Sequence, residues 1–253
     1  MPGTLLVRPP SPRLAEGELT HLDRVPVDAD LSRRQWQEYR TTFAARGWQV
    51  HELPAADAHP DGVFVEDTVV VFDDLAVLTR PGAASRRGEV ASMRPVVEGL
   101  GLEVAAIEEH ATLEGGDVLK VGRTVYVGRS SRTDDAGVDQ LRTLLEPRGW
   151  RVVPVPVTRV LHLKSAVTAL PDGTVIGHEP LVDAPELFDR FVPVPEPEGN
   201  AVVVLDDRTV LLSASAPRTA DLLRDRGLDV VTAPVTEFEK LEGCVTCLSV
   251  RVR

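Results

Sequence analysis

The sequence returns four times to one arrangement: a helix-like stretch, a glycine, then a β-branched run. Phe43-Ala-Ala-Arg-Gly-Trp-Gln-Val50 resembles Leu145-Glu-Pro-Arg-Gly-Trp-Arg-Val152 and Leu223-Arg-Asp-Arg-Gly-Leu-Asp-Val230, and Val97-Glu-Gly-Leu-Gly-Leu-Glu-Val104 is a fourth copy. In each, the glycine stands where a helix ends in a left-handed residue, a conformation that side chains with a Cβ resist. The copies lie 54, 48 and 78 residues apart, and Leu187-Phe-Asp-Arg-Phe-Val-Pro-Val194 sits in the longest gap as a worn copy without its glycine. Five strand–helix–strand units predict a pseudo-fivefold α/β fold in one domain, residues 1–253. An ordinary doubly wound sheet with habitual caps explains the same repeats equally well.

Local pattern agrees with α/β. Thr4–Val7, Val69–Phe72, Ala76–Leu78, Val125–Val127, Ala201–Leu205 and Val210–Leu212 read as strands. Ser32–Ala45, Arg86–Gly99, Ala136–Glu146 and Arg218–Asp225 read as helices, the third carrying Val138, Leu141 and Leu145 on one face. Pro9-Pro-Ser-Pro12 and the polar run to Asp30 hold few core-forming residues. That composition predicts an exposed loop, with residues 15–30 acting as a lid.

Charge and targeting signals narrow the partners. A net charge of −11 argues against a general nucleic-acid binder and tolerates a cationic small molecule. No stretch resembles a signal peptide and no apolar run approaches the ~18 residues of a membrane span, so a cytoplasmic location is expected.

Cys244 and Cys247 are the chain's only cysteines. A zinc half-site would need a second pair of ligands, and the six histidines offer none at ligand spacing. A dithiol redox site usually opens a helix, whereas Leu241-Glu-Gly-Cys-Val-Thr-Cys-Leu-Ser-Val250 reads as a strand. On a strand, a spacing of three turns the two side chains to opposite faces. The expectation is one working thiol, Cys247, beside a bystander.

Elsewhere, Pro60-Asp-Gly-Val-Phe-Val-Glu-Asp67 clusters three acids beside an apolar run. Carboxylates pair bidentately with a planar guanidinium, although a solvated acidic loop is the commoner use of such a cluster. Arg80-Pro-Gly-Ala-Ala-Ser-Arg-Arg-Gly88 and Gly128-Arg-Ser-Ser-Arg-Thr133 fall at strand-to-helix turns, where arginines either hold an anionic group or flank a helix. Glu114-Gly-Gly-Asp117 interrupts a strand pattern and implies close backbone approach. His162, among apolar neighbours in Leu161-His-Leu-Lys-Ser165, is by itself more often structural. Cysteine, histidine and acid together follow the logic of an activated nucleophile.

Taken in order, Pro60–Thr68, Leu78–Glu89, Leu113–Leu119, Gly128–Thr133, Leu161–Ser165 and Glu239–Ser249 resemble the dimethylarginine dimethylaminohydrolase family of the pentein superfamily. The resemblance spans nearly the whole chain and implies a five-bladed α/β propeller with its site in the central channel. It implies Cys247 as nucleophile, His162 as general acid and base, and Glu114 as the carboxylate orienting the histidine. Asp67 would bind the guanidinium and Asp61 the α-amino group, with Leu19 and Leu241 assisting. Arg86 and Arg132 would take the α-carboxylate, and Phe64 and Glu66 would belong to the pocket wall.

The implied reaction hydrolyses a methylated arginine to citrulline and a methylamine through a covalent cysteine intermediate, without metal or organic cofactor. Nearby acids would hold the thiol protonated until a guanidinium cation binds, so ionisation is expected to be substrate-assisted. The small-molecule partner would be a methylated arginine, and a homodimer is compatible with the resemblance. The chain departs from the family's usual pattern at Arg132-Thr-Asp134, where Asn is customary, in the lid, and at Glu242-Gly-Cys244, where Asp-Gly-Gly is customary. Glu242 is therefore expected close to the guanidinium. The rival readings are an arginine deiminase-like hydrolase and, from another class, a non-catalytic arginine-binding module.

Overall fold

The computed structural model describes residues 3–253 as five three-stranded sheets. Strand β1 (Thr4–Val7) lies parallel to β2 (Gln49–Glu52) across the helix Ala29–Ala44. The second sheet holds β3 (Val69–Phe72), β4 (Leu75–Leu78) and β5 (Glu103–Ala106), and the third β6 (Val118–Val121), β7 (Thr124–Arg129) and β8 (Arg151–Pro156). Next come β9 (Val167–Ala169), β10 (Val175–Gly177) and β11 (Phe191–Pro193), then β12 (Val202–Val204), β13 (Thr209–Ser213) and β14 (Asp229–Ala233). In each of these four the first strand is antiparallel to the second and the second parallel to the third. Strand β15 (Val250–Val252) supplies the missing first strand of the opening sheet by pairing antiparallel with β1, Thr4 opposite Val252. The five sheets thus form a closed ring.

Turn chemistry accounts for the regularity. The four repeated glycines, Gly47, Gly101, Gly149 and Gly227, all adopt φ between 78° and 86°, the left-handed residue that lets each helix end and the third strand begin. The worn fifth copy is the blade in which two 3-10 turns, Glu179–Leu181 and Pro185–Leu187, replace the helix between β10 and β11. With no helix to terminate, no glycine is needed. The stretch expected as one helix, Arg86–Gly99, is instead a 3-10 run, Ala84–Ser92, followed by the α-helix Arg94–Gly99. Pro95 explains the restart, because proline lacks an N–H and fits only the first helical turn.

Each helix buries one stripe against its sheets. In Asp135–Leu145, Val138, Leu141 and Leu145 are at most 1% exposed and pack with Val125, Val127 and Phe72. At about 1.5–3 kcal/mol per fully buried aliphatic side chain, such stripes hold each helix to the ring. The first strands β3, β6, β9, β12 and β15 line a central channel of 620 Å³. Lys120, Lys164, Arg251 and Arg253 also face this channel. Among the described residues no helix is long and apolar enough to cross a membrane.

Candidate active site

The chemistry-bearing stretches share one place in the repeat: each ends where an inner strand begins. Val65–Thr68 leads into β3, Gly115–Asp117 into β6, Leu163–Ala166 into β9, and the turns after Leu241 into β15. Four stretches far apart in sequence therefore meet at one end of the channel. Asp61, Phe64, Asp67, Arg86, Arg132, His162, Leu241, Glu242 and Cys247 line a single pocket there, together with Glu18, Leu161 and Gly243.

At its centre His162 and Glu114 are both buried, with Nε2 of the ring 2.6 Å from Oε2 of the carboxylate. The second ring nitrogen, Nδ1, lies 3.9 Å from Asp67 Oδ1. Burial opposes charge on this imidazole, but Asp67, the Glu114 hydrogen bond and Asp117 together raise it to about 9. Asp67 conversely falls to about 2 despite burial, held ionised by His162, Arg86 and the Gly116 N–H at 2.8 Å. Gly116, just before β6, is required by this contact. A Cβ on Gly116 would lie 2.6 Å from His162 Nδ1 and 2.8 Å from Asp67 Oδ1, so only glycine lets the strand approach the ring.

Asp117, which drew no role from the sequence, is also buried. It accepts from Leu163 N–H at 2.9 Å and Ser130 Oγ at 2.7 Å, tying the His162 segment to the arginine turn. Asp67, Glu114 and His162 each place a potential ligand atom within 4.8 Å of the others. A cation is already present beside them, since Arg86 Nη1 lies 2.6 Å from Asp67 Oδ2 and 4.0 Å from Glu114.

Arg86 and Arg132 take different positions from one another. Arg86 is 4% exposed and donates to Asp67, to Glu89 through Nε and Nη2, and to the carbonyls of Asp61 and Phe64. Its guanidinium is thus engaged from every side, which departs from the expected place at an α-carboxylate. The i, i+3 spacing of Arg86 and Glu89 was the available signal for this pair. Arg132 is less committed, with Thr20 Oγ1 at 3.1 Å and Glu114 at 3.7 Å. Glu66 does not line the pocket. Buried beneath it, Glu66 pairs with Lys164 at 2.7 Å and accepts from Thr246 Oγ1 at 2.8 Å, forming the partition between pocket and channel. Asp134, the other departure from pattern, caps the helix Asp135–Leu145 by accepting from Gly137 N–H at 2.7 Å.

The two cysteines correct the sequence reading. Residues 244–248 form turns rather than a strand, and β15 begins only at Val250. The Cys244 and Cys247 sulfurs consequently lie 3.3 Å apart instead of on opposite faces. Contact with Cys244, then burial, then Glu66 and Asp67 push the Cys247 thiol well above its ordinary value.

Glu242 also differs from expectation. It adopts φ 60°, and its carboxylate accepts the backbone N–H groups of Thr20, His21 and Leu22 at 2.8, 2.6 and 3.1 Å. It holds the lid from the wall of the pocket, which it also lines. Asp61, 5% exposed and with its proton affinity raised chiefly by burial, accepts from Glu18 N–H at 3.0 Å. Ser85 donates to the Glu18 carboxylate, and Arg24 to the carbonyls of Ala15 and Gly17. Leu19, whose backbone was expected to assist Asp61, packs its side chain partly buried against the hydrophobic cluster that contains Leu14, Phe64 and Leu241, and Glu18 is the lid residue that lines the pocket. With the lid fastened the pocket's free volume is 20 Å³, room for about one water.

This chain is 59% identical over 248 residues to the N(G),N(G)-dimethylarginine dimethylaminohydrolase of Streptomyces coelicolor, covering 98% of this chain and 96% of that one. It is 32% identical to the Pseudomonas aeruginosa enzyme of the same name, over 98% of both chains. The chain belongs to the dimethylarginine dimethylaminohydrolase family. A solved structure of the Pseudomonas dimethylarginine dimethylaminohydrolase, a cysteine-to-serine mutant complexed with citrulline, matches at TM-score 0.93 and 31% identity over all of both chains. The N-terminal domain of ArgZ, an arginine dihydrolase, shares the fold at TM-score 0.84 and 22% identity over 98% of this chain and 97% of that one. No family model matches the sequence. The five-bladed α/β propeller that the resemblance implies, with the pseudo-fivefold order of the repeats, is the fold of this chain.

Two outcomes test this geometry. His162 holds its proton to about 9, above its ordinary value, so its ion pairs stabilise the fold fully below pH ~6.5 and fade as pH rises through about 9. Urea unfolding across pH 6.5–9.5 should show declining stability in the native protein and a shallower decline in His162→Asn. Removing the lid clasp with Glu242→Ala leaves three N–H groups without their acceptor. Tryptic cleavage at Arg24 should accelerate by roughly fivefold to tenfold, the scale of a charge-assisted hydrogen bond lost at a partly exposed site.

Proposed function

We propose that this protein hydrolyses Nω-methylated arginine, asymmetric dimethylarginine or monomethylarginine, to citrulline and a methylamine. The observation that carries the reading is the meeting of Cys247, the His162–Glu114 pair and Asp67 in one enclosed pocket, in a chain of this family.

In this reading Cys247 attacks the guanidinium carbon. His162, already a cation at neutral pH, protonates the departing amine, and the sulfur is left bound to the carbon of the substrate. Loss of that proton makes the imidazole a base, which draws a proton from water as it attacks the same carbon and frees citrulline. Glu114 keeps the ring oriented through both steps. Asp67 uses two of a carboxylate's roughly four lone-pair sites on Arg86 and Gly116, leaving room for a substrate guanidinium.

Arg132 would meet the α-carboxylate and Asp61 the α-amino group, releasing Thr20 and Glu18 of the lid. Arg86 then serves as the internal counter-ion that keeps Asp67 ionised. Phe64 and Leu241 supply the apolar wall along the substrate's methylene chain. The small free volume requires the lid to lift before substrate enters.

The test is citrulline release from asymmetric dimethylarginine, monomethylarginine and arginine. Methylated substrates should turn over, and Cys247→Ser should lower the rate at least about 10³-fold. Turnover confined to arginine would replace the substrate assignment, and activity surviving in Cys247→Ser would sink the mechanism. Because Cys244, Glu66 and Asp67 hold the thiol protonated, a bound cation should release the proton. A non-reactive arginine analogue should therefore raise thiolate absorbance near neutral pH; an unchanged spectrum at saturation would overturn substrate-assisted ionisation.

A further inference from the structure

The proposed reaction uses one thiol, and the structure supplies two in contact. Cys244-Val-Thr-Cys247 closes a turn in which the Cys247 N–H donates to the Cys244 carbonyl at 3.2 Å. A turn of this kind holds its first and fourth Cα atoms within about 7 Å, overlapping the roughly 4.4–6.8 Å that a disulfide spans. The sulfurs are 3.3 Å apart, and the Cys244 N–H points at the Cys247 sulfur from 3.4 Å. Bond formation at about 2.05 Å asks for a short side-chain rotation and no rearrangement of the backbone. Their contact also lowers the proton affinity of Cys244 while raising that of Cys247. Thr246 Oγ1, fixed on Glu66, lies 3.3 Å from the Cys244 sulfur and holds the pair in place. Cys244 is partly exposed, so the pair is open to a small reagent from that side.

We propose that Cys244 and Cys247 form a peroxide-reactive site, in which Cys244 resolves oxidation of Cys247 by closing a reversible disulfide. In the first step Cys247 passes its proton to the Cys244 sulfur 3.3 Å away, and the resulting Cys247 thiolate attacks one oxygen of a hydroperoxide. An S–O bond forms, the O–O bond breaks, and the second oxygen leaves as water or alcohol after taking a proton. The sulfur loses two electrons and the peroxide gains them, giving a sulfenic acid. The Cys244 thiolate then attacks that sulfur. The S–S bond forms, the S–O bond breaks, and hydroxide leaves as water with the proton from the second thiol. For hydrogen peroxide the balance is two thiols and one peroxide to one disulfide and two waters. An external dithiol reverses it through two exchanges. The pair thereby keeps Cys247 from the sulfinic and sulfonic acids that lie beyond recovery. Loss of turnover in the oxidised form rests on Cys247 being the nucleophile; formation of the disulfide does not.

Hydrogen peroxide is applied to the full chain without substrate, followed by alkylation and mass measurement of the tryptic peptide from Leu241 to Arg251. The expected product is about 2 Da lighter, carries no alkyl group and regains both thiols in dithiothreitol, while Cys244→Ser gains about 32 or 48 Da irreversibly. A wild-type peptide that gains oxygen as fast as Cys244→Ser, without the lighter species, overturns the proposal. In parallel, citrulline formation should be lost on oxidation and return with reductant. A disulfide that forms while turnover continues would sustain the thiol pair and overturn instead the assignment of Cys247 as nucleophile.

Discussion

The structure depends on one buried cation. Arg86 sits among Asp67, Glu89 and, at longer range, Glu114, with the carbonyls of Asp61 and Phe64 completing its shell. Without it, carboxylates would crowd a space that burial makes hostile to charge, and one or more would take up protons. With it, Asp67 stays ionised, His162 stays cationic, and the His162–Glu114 contact is an ion pair held off solvent. Breaking such a network by deleting one member leaves uncompensated charge, which is costlier than the network's net contribution. The arginine is therefore as much a part of the reactive constellation as the histidine, although it is fully engaged before any ligand arrives.

Much of this was legible in the sequence because the fold is periodic. The glycines after Phe43, Val97, Leu145 and Leu223 report a backbone conformation that little else tolerates, and each one marks the end of a blade's helix. The glycines after Glu114 reported close approach, Gly116 to the ring of His162 and Gly115 to the carbonyl of Glu66. What escaped was set by local turn geometry or by distant partners. β-branched Val245 and Thr246 suggest a strand, but the segment turns, and its two sulfurs end on the same side. Glu242 holds a positive φ that a glutamate seldom adopts, stabilised by three N–H groups from residues some 220 positions earlier. No local pattern announces such a partner. Arg86 was expected at an α-carboxylate, whereas Glu89 and Asp67, the latter 19 positions away, enclose it.

The five inner strands divide the molecule functionally. At the end where they begin, the preceding turns carry the acids, the histidine and the thiols. Along their length, short valine- and leucine-rich runs wall the channel, into which four cations project. The Glu66–Lys164 pair lines the channel, and Thr246 connects Glu66 to the cysteine turn on the pocket side.

Ring closure by β15 gives the site an unusual place in the order of folding. The segment holding both thiols is anchored through Val250–Val252 against Thr4–Leu6, a pairing that joins residues nearly the full chain apart. Contacts of such sequence separation carry the largest loop-closure entropy and form late unless shorter pairings have already drawn the ends together. Hairpins such as β3–β4 and β6–β7 need no such help. A partly folded chain can therefore hold intact blades, with helices and burial close to native, while Cys247 still lacks its place opposite His162. Recovery of turnover during refolding would report completion of the circle rather than accumulation of secondary structure.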